Sequence, residues 1–157
     1  GFRPYGTQSG WLRAASAGWA FGCDVCSEVC PWGTDAPDLA TRFGDHRALE
    51  GGLEGWLLEA VERPADRLGS PVQRPGRAGL ARNAAIALGV LGGAGKEALL
   101  RALATDRSPI VRESAAWALA RAHGREPGVR EAVARAERIE PDPAARSDMR
   151  RSLDGEP

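Results

Sequence analysis

The chain has 157 residues, 43% of them apolar and 6% aromatic, with 21 basic and 21 acidic side chains and no net charge. That is enough for one or two small domains with a core. No run reaches the roughly 18–20 apolar residues of a membrane span, and the balanced charge does not by itself point to nucleic acid or a lipid surface. Abundant alanine and few β-branched residues favour packed helices over sheets, so a mainly α fold is expected. Lys96 is the sole lysine, and every other basic residue is arginine. Arginine suits bidentate contact with phosphate or carboxylate, although a GC-rich genome, which enriches Arg, Ala and Gly together, is the plainer cause of the bias. Opening on Gly1-Phe2-Arg3-Pro4 without Met or a leader pattern, the chain reads as a fragment of a longer protein.

All three cysteines fall in Cys23-Asp24-Val25-Cys26-Ser27-Glu28-Val29-Cys30-Pro31, a C-x2-C-x3-C-P run. An odd number excludes a closed set of intramolecular disulfides, and loops this short would remove little chain entropy. Structural zinc needs four ligands, and no histidine lies nearby. The run matches the last three cysteines and the proline of the bacterial ferredoxin pattern C-x2-C-x2-C-x3-C-P. Cys23 and Cys26 lie on one side of a turn and can grip neighbouring irons of one cube. Cys30, four further on, tends to point toward another cube, and Pro31 redirects the chain. Thiolate ligation of iron–sulfur clusters is the favoured reading, with zinc or redox thiols as alternatives. Three cysteines cannot complete a 4Fe–4S cluster, so further ligands must come from elsewhere. Trp19, Phe21 and Trp32 could shield a cluster from water, or simply pack. Asp24 and Glu28 read as solvated loop charges.

After the turn-rich stretch from Gly33 to Asp38, Leu53, Trp56, Leu57, Ala60 and Val61 recur at helical spacing up to Pro64, predicting a helix over 53–63. Gly69-Ser70-Pro71 and Pro75-Gly76 break the chain again. Then Ala84-Ala85-Ile86-Ala87-Leu88 is echoed by Ala115-Ala116-Trp117-Ala118-Leu119 at an offset of 31. Each is followed by a second helix, Glu97 to Ala104 and Val129 to Ala136. Ser108-Pro109 is a helix start, with Ser as N-cap and Pro at the first helical position. Two helices per repeat near this length suggest HEAT/armadillo-type stacking. The helix at 53–63 and a weak one near 143–153 would act as caps; an ordinary helical bundle with a chance echo is the alternative. The expected fold class is mainly α, a ferredoxin-like iron–sulfur segment followed by a HEAT-like α-helical repeat domain. Its boundaries are 1–34 for the ferredoxin-like end, 35–76 for linker and capping helix, 77–140 for the repeats and 141–157 for a C-terminal tail. His46 and His123 stand alone and read as surface or helix-end residues. The sequence holds no phosphate loop, dinucleotide fingerprint or hydrolase elbow.

The stretch from Phe21 through the three cysteines to Trp32 resembles the second cluster motif of the epoxyqueuosine reductase family. The resemblance continues through Gly69-Ser70-Pro71, Arg74, Gly76-Arg77 and Gly79 to Gly89, then Asp106 to Pro109, Val111-Arg112 and Ala115 to Leu119, covering roughly residues 19–123. It implies a cytoplasmic, cobalamin- and iron–sulfur-dependent oxidoreductase that reduces an epoxide on a modified tRNA base, completing queuosine. It also implies two 4Fe–4S clusters with crossed ligation, Cys23 and Cys26 on one and Cys30 on the other. The remaining ligands, most of the cobalamin pocket and the catalytic acid would lie in an N-terminal half, leaving this part inactive alone and no catalytic residue within it. The first eighteen residues do not fit the family. The expected partners are the tRNA anticodon arm and an electron donor, with no membrane and a monomeric state. A non-enzymatic ferredoxin-like electron-transfer protein with a HEAT-like docking domain is the competing reading.

Arg74, Arg77 and Arg82 gather at the start of one repeat, Arg107 and Arg112 at the start of the next. Stacking would bring equivalent positions onto one edge, beside helix N-termini that favour phosphate. Given the resemblance, these five are the expected tRNA-binding residues. The alternative is pairing with carboxylates such as Glu97, Asp106 and Glu113.

Overall fold

The computed structural model describes residues 10–15, 20, 26, 29–31, 52–58 and 74–155. Among them every regular element is a helix: α1 Gly10–Ala15, α2 Gly52–Leu57, α3 Gly76–Leu91, α4 Lys96–Thr105, α5 Pro109–His123, α6 Val129–Ile139 and α7 Pro143–Asp154. The mainly α expectation holds. The helix expected over 53–63 is described as α2, with Trp56 and Leu57 buried; residues 59–63 lie outside the described set.

The central helices are α3 and α5. Both are apolar around most of their circumference, which suits burial on several sides. In α3 the buried set includes Leu80, Ala84, Ala85, Ile86 and Leu88; in α5 it includes Val111, Ala115, Ala116, Trp117 and Leu119. By contrast α6 buries a single stripe, Val129, Val133 and Glu137. α3 packs along α5, α2 lies against α3, α4 against α5, and α7 covers α5 and α6. The two echoed segments are thus the helices that meet. Gly89 sits where a Cβ would come within 2.8 Å of Ala118 Cα and 2.9 Å of the Trp117 ring, so a side chain there would push the helices apart. Fully buried Leu99, Leu119 and Val111 anchor this layer, each contributing on the order of 1.5–3 kcal/mol. Before α4, Gly95 holds a φ of +83° against the Leu88 side chain, a left-handed position that favours glycine.

The turns between helices repeat as well. Asp106 Oδ1 accepts the Ser108 N–H at 2.8 Å, and the Asp106 carbonyl accepts from Arg112 at 2.7 Å. Glu140 Oε1 accepts the Asp142 N–H at 3.1 Å, and the Glu140 carbonyl accepts from Arg146 Nε at 2.8 Å. Pro109 and Pro143 then open α5 and α7. The helix expected near 143–153 therefore begins with the same turn as α5. Asp142 caps it, accepting N–H groups of Ala144 at 3.0 Å and Ala145 at 2.9 Å. Ser108 holds the N-cap position of α5, but its hydroxyl makes no capping bond. The expected side-chain cap is corrected: the turn is secured instead by the Asp106 carboxylate on the Ser108 backbone.

Candidate iron–sulfur segment and basic edge

Cys26 is exposed and Cys30 half-buried, and neither is in a disulfide. Cys23, Trp19, Phe21, Trp32, Asp24, Glu28 and His46 lie outside the described residues. Among the described residues no three His, Cys, Asp or Glu side chains come together as a metal site. The two described thiols are a donor set suited to iron: soft, accessible, and not consumed by a disulfide. Val29 between them is 74% exposed, so no apolar shell of described residues encloses this segment. His123 is the helix-end residue expected, but it is buried at the end of α5, with Nδ1 2.7 Å from Glu126 Oε1.

The five arginines divide. Arg77 is 3% exposed and grips Asp106 with both guanidinium nitrogens, at 2.8 and 2.9 Å. Arg112 holds Glu140 the same way, at 2.7 and 2.6 Å. The hydrogen bond to Glu140 raises the Arg112 pKa. Burial opposes ionisation of Glu140, yet the bonds from Arg112 and the Asp142 N–H outweigh it and hold its carboxyl below the usual range. Arg82 donates to Asn83 Oδ1 at 3.0 and 2.7 Å. Arg74 and Arg107 are exposed. Arg77 and Arg112 are thus engaged by counter-charges, Asp106 and Glu140. Asp106 is a partner that the alternative reading names; Glu140 is not.

A hollow of about 160 Å³ lies at this edge, lined by Leu57, Leu58, Arg77, Arg101, Ala102, Thr105, Asp106 and Arg107. Arg101 escapes a reading of the sequence because it stands in the middle of α4, away from the helix starts. It is exposed and shares the hollow with Arg107.

A second arginine–carboxylate group lies inside the array. Arg13 of α1 is 3% exposed, 3.3 Å from Glu113 Oε1 and 3.8 Å from Asp148 Oδ2, with its guanidinium 5.6 Å from the Trp117 ring centroid. Burial pushes the Glu113 carboxyl up to about 7, although Arg13 pulls the other way. Burial likewise lowers the Arg13 pKa. The pair ties the segment preceding the cysteine run to the helices that follow it. Its one signal in the sequence is a carboxylate, Glu113, in a helix otherwise apolar on that side.

No family model matches the chain. An epoxyqueuosine reductase of Xanthomonas campestris pv. campestris is 38% identical over 112 residues, which are 66% of this chain and 30% of that protein. One from Alicycliphilus denitrificans is 37% identical over 120 residues, 69% of this chain and 33% of that protein. The chain thus spans about a third of the length of the curated relatives it matches. Among solved structures, epoxyqueuosine reductase from Bacillus subtilis superposes with a TM-score of 0.74 at 23% identity, covering 96% of this chain and 41% of that one. An epoxyqueuosine reductase bound to a tRNA-Tyr epoxyqueuosine-modified stem loop superposes at 0.71 and 22% identity, covering 96% and 40%. In sequence over two thirds of its length, and in fold over nearly all of it, the chain is related to one part of epoxyqueuosine reductase, consistent with a C-terminal part.

Proposed function

We propose that this chain is the C-terminal part of an epoxyqueuosine reductase, an oxidoreductase that reduces epoxyqueuosine to queuosine in tRNA in the cytoplasm. The observation that carries the reading is the C-x2-C-x3-C-P run followed by the Ala-rich helical repeat, in a chain whose relatives bear that name. In this reading residues 1–34 end a ferredoxin-like domain, 35–76 link it, 77–140 form HEAT-like repeats and 141–157 the tail. Cys23 and Cys26 hold one 4Fe–4S cluster and Cys30 completes the other; when bound, such clusters carry electrons from a donor toward cobalamin held mainly by the rest of a monomeric protein. The free thiols of Cys26 and Cys30 are compatible with that role.

The helical edge serves tRNA. Arg74 and Arg107, joined by Arg101, contact backbone phosphates of the anticodon arm, which positions without reading sequence. Arg77 and Arg112 hold the turn that carries Arg107, through the carboxylate and the carbonyl of Asp106. Arg82, engaged with Asn83, supports α3 behind that edge.

The test is metal analysis with anaerobic spectroscopy of the intact protein. It should be brown, with broad thiolate–iron absorption. In the reduced state, Cys30→Ala should remove a different paramagnetic centre from Cys23→Ala or Cys26→Ala. A colourless protein with stoichiometric zinc would overturn the cluster assignment. If all three variants removed one and the same centre, crossed ligation would be wrong.

A further inference from the structure

The opposite end of the array carries a second concentration of arginine. α5 closes with Ala120-Arg121-Ala122-His123, a short loop runs over 124–128, and α6 opens with Val129-Arg130. Between them lies a hollow of about 400 Å³, lined by residues 120–126 and Arg130. α5 has 15 residues, so this hollow stands roughly 22 Å from the edge at Arg107.

The arginines here differ from Arg77 and Arg112 in lacking a carboxylate among the described residues. The Arg121 guanidinium rests over the Trp117 ring at 5.6 Å. Arg130 donates to the Leu153 carbonyl at 2.5 Å. Arg125 is exposed, and no described residue pairs with it. The acid among the lining residues, Glu126, is already engaged by Lys96 Nζ at 2.8 Å and His123 Nδ1 at 2.7 Å, and the Lys96 bond lowers its pKa. His123, 4% exposed, forms one wall, and its Nε2 has no hydrogen-bond partner among the described residues.

Arginines at helix ends have an ordinary explanation, since a helix C-terminus carries about half a negative charge. The ends of α5 and α7 together supply about one such charge, too little to offset three guanidinium groups. The excess is held around a concave surface, where water is partly displaced and a doubly bonded anion is favoured. The one ring among the lining residues, His123, is 4% exposed and offers no face for base stacking; oxyanion binding is offered.

We propose that the hollow formed by Arg121, Arg125 and Arg130 is a phosphate-binding site. The phosphate comes either from the backbone of an RNA strand lying across the array or from a small phosphorylated ligand. The RNA source rests on the tRNA reading above; the small-ligand source does not.

The test titrates the intact protein with inorganic pyrophosphate and, separately, with a synthetic RNA stem loop, between 50 and 200 mM salt. Arg125→Gln is the clean variant, because that side chain gives up no hydrogen bond or ion pair with the described residues; its melting temperature should match the wild type. Arg121→Gln/Arg125→Gln/Arg130→Gln is the full removal, and Arg74→Gln/Arg107→Gln the comparison at the other edge. Each lost phosphate contact should reduce the salt slope by ~0.7–0.9, about a threefold smaller change in affinity over that salt range. Weaker stem-loop binding in the Arg125 variants upholds the site with RNA as its ligand. Weaker pyrophosphate binding alone upholds it with a small ligand. If neither probe responds to Arg125→Gln or to the triple change, the site does not exist, whatever the Arg74/Arg107 variant does. If that variant binds the stem loop normally while the Arg125 variants do not, the edge assigned to tRNA is wrong and this one stands.

Discussion

Two arginine–carboxylate groups in this protein use the same chemistry and reach opposite outcomes. At the loops, Arg112 meets Glu140 with two short bonds, and a backbone N–H adds a third donor to the carboxylate. Glu140 is stabilised as an anion. In the core, Arg13 reaches Glu113 through one longer bond of 3.3 Å and shares itself with Asp148 at 3.8 Å. Glu113 is pushed toward neutrality. Both carboxylates are nearly inaccessible to solvent, but Glu113 lies deeper among its neighbours and has fewer donors. Desolvation is offset at Glu140 and not at Glu113. The loops are therefore fastened by charge, and the core by packing around a poorly satisfied charge.

The largest expected effect comes from breaking a bidentate fastening at a carboxylate with little access to water. Arg77→Ala leaves Asp106 buried and without its bidentate counter-charge. It should cost about 3–5 kcal/mol of stability, the range for removing one member of a buried pair. Denaturant unfolding of the variant measures this. A loss below about 1 kcal/mol would mean that the Arg77–Asp106 bond behaves as a surface pair and that the contrast between loops and core is false.

A smaller effect should follow Glu140→Gln, which keeps the shape and one acceptor but removes the charge. Hydrogen bonds to charged groups are worth about 1.5–3 kcal/mol, so a loss of that order is expected near neutral pH. Because the folded carboxyl lies below its ordinary value, its contribution is present above that value and is lost as pH falls through the lowered one. Wild type and variant should thus converge in acid. A constant gap between them down to strongly acidic pH would remove Glu140 as the origin.

Local periodicity makes much of the helical array legible in the amino-acid sequence. The Ala-rich echo at 84–88 and 115–119, Pro109 at the start of α5 and the helices after each echo are all found in place. Asp106 can be named as a partner because it stands just before α5, close to the arginines. Three things are not legible. Arg13 and Glu113 are 100 residues apart, and nothing local links them. The turn before α7 repeats that before α5, yet Arg150, Arg151 and Ser152 stand where α5 has Ala116, Trp117 and Ala118, so no third helix of the same kind is announced. Arg101 in the middle of α4 and Arg121 in the last turn of α5 have spatial neighbours from other elements. The cysteine run is the most legible feature of all, because its spacing carries its chemistry. Its three-dimensional arrangement is the part that spacing alone does not give, and only Cys26 and Cys30 lie within the described residues.

The change most telling in form concerns Glu113. Its folded pKa of about 7 lies above the ordinary value of 4.5. A raised carboxyl means that the folded state holds a proton the unfolded chain has released across that window. Its contribution to stability is therefore complete below about pH 4.5, declines as pH rises, and is gone above about 7. With one proton involved, the slope cannot exceed about 1.4 kcal/mol per pH unit. Glu113→Gln imitates the protonated side chain and should abolish that slope, matching wild type at pH 5 and exceeding it at pH 8. Urea midpoints of both proteins from pH 5 to pH 8 decide the matter. The sign is opposite to that for Glu140, so the double variant should show neither the acid loss nor the alkaline one. If wild-type stability instead stayed flat from pH 5 to 8 and fell only below about pH 4.5, Arg13 would be holding Glu113 as a true ion pair. The core and the loops would then be built on one principle.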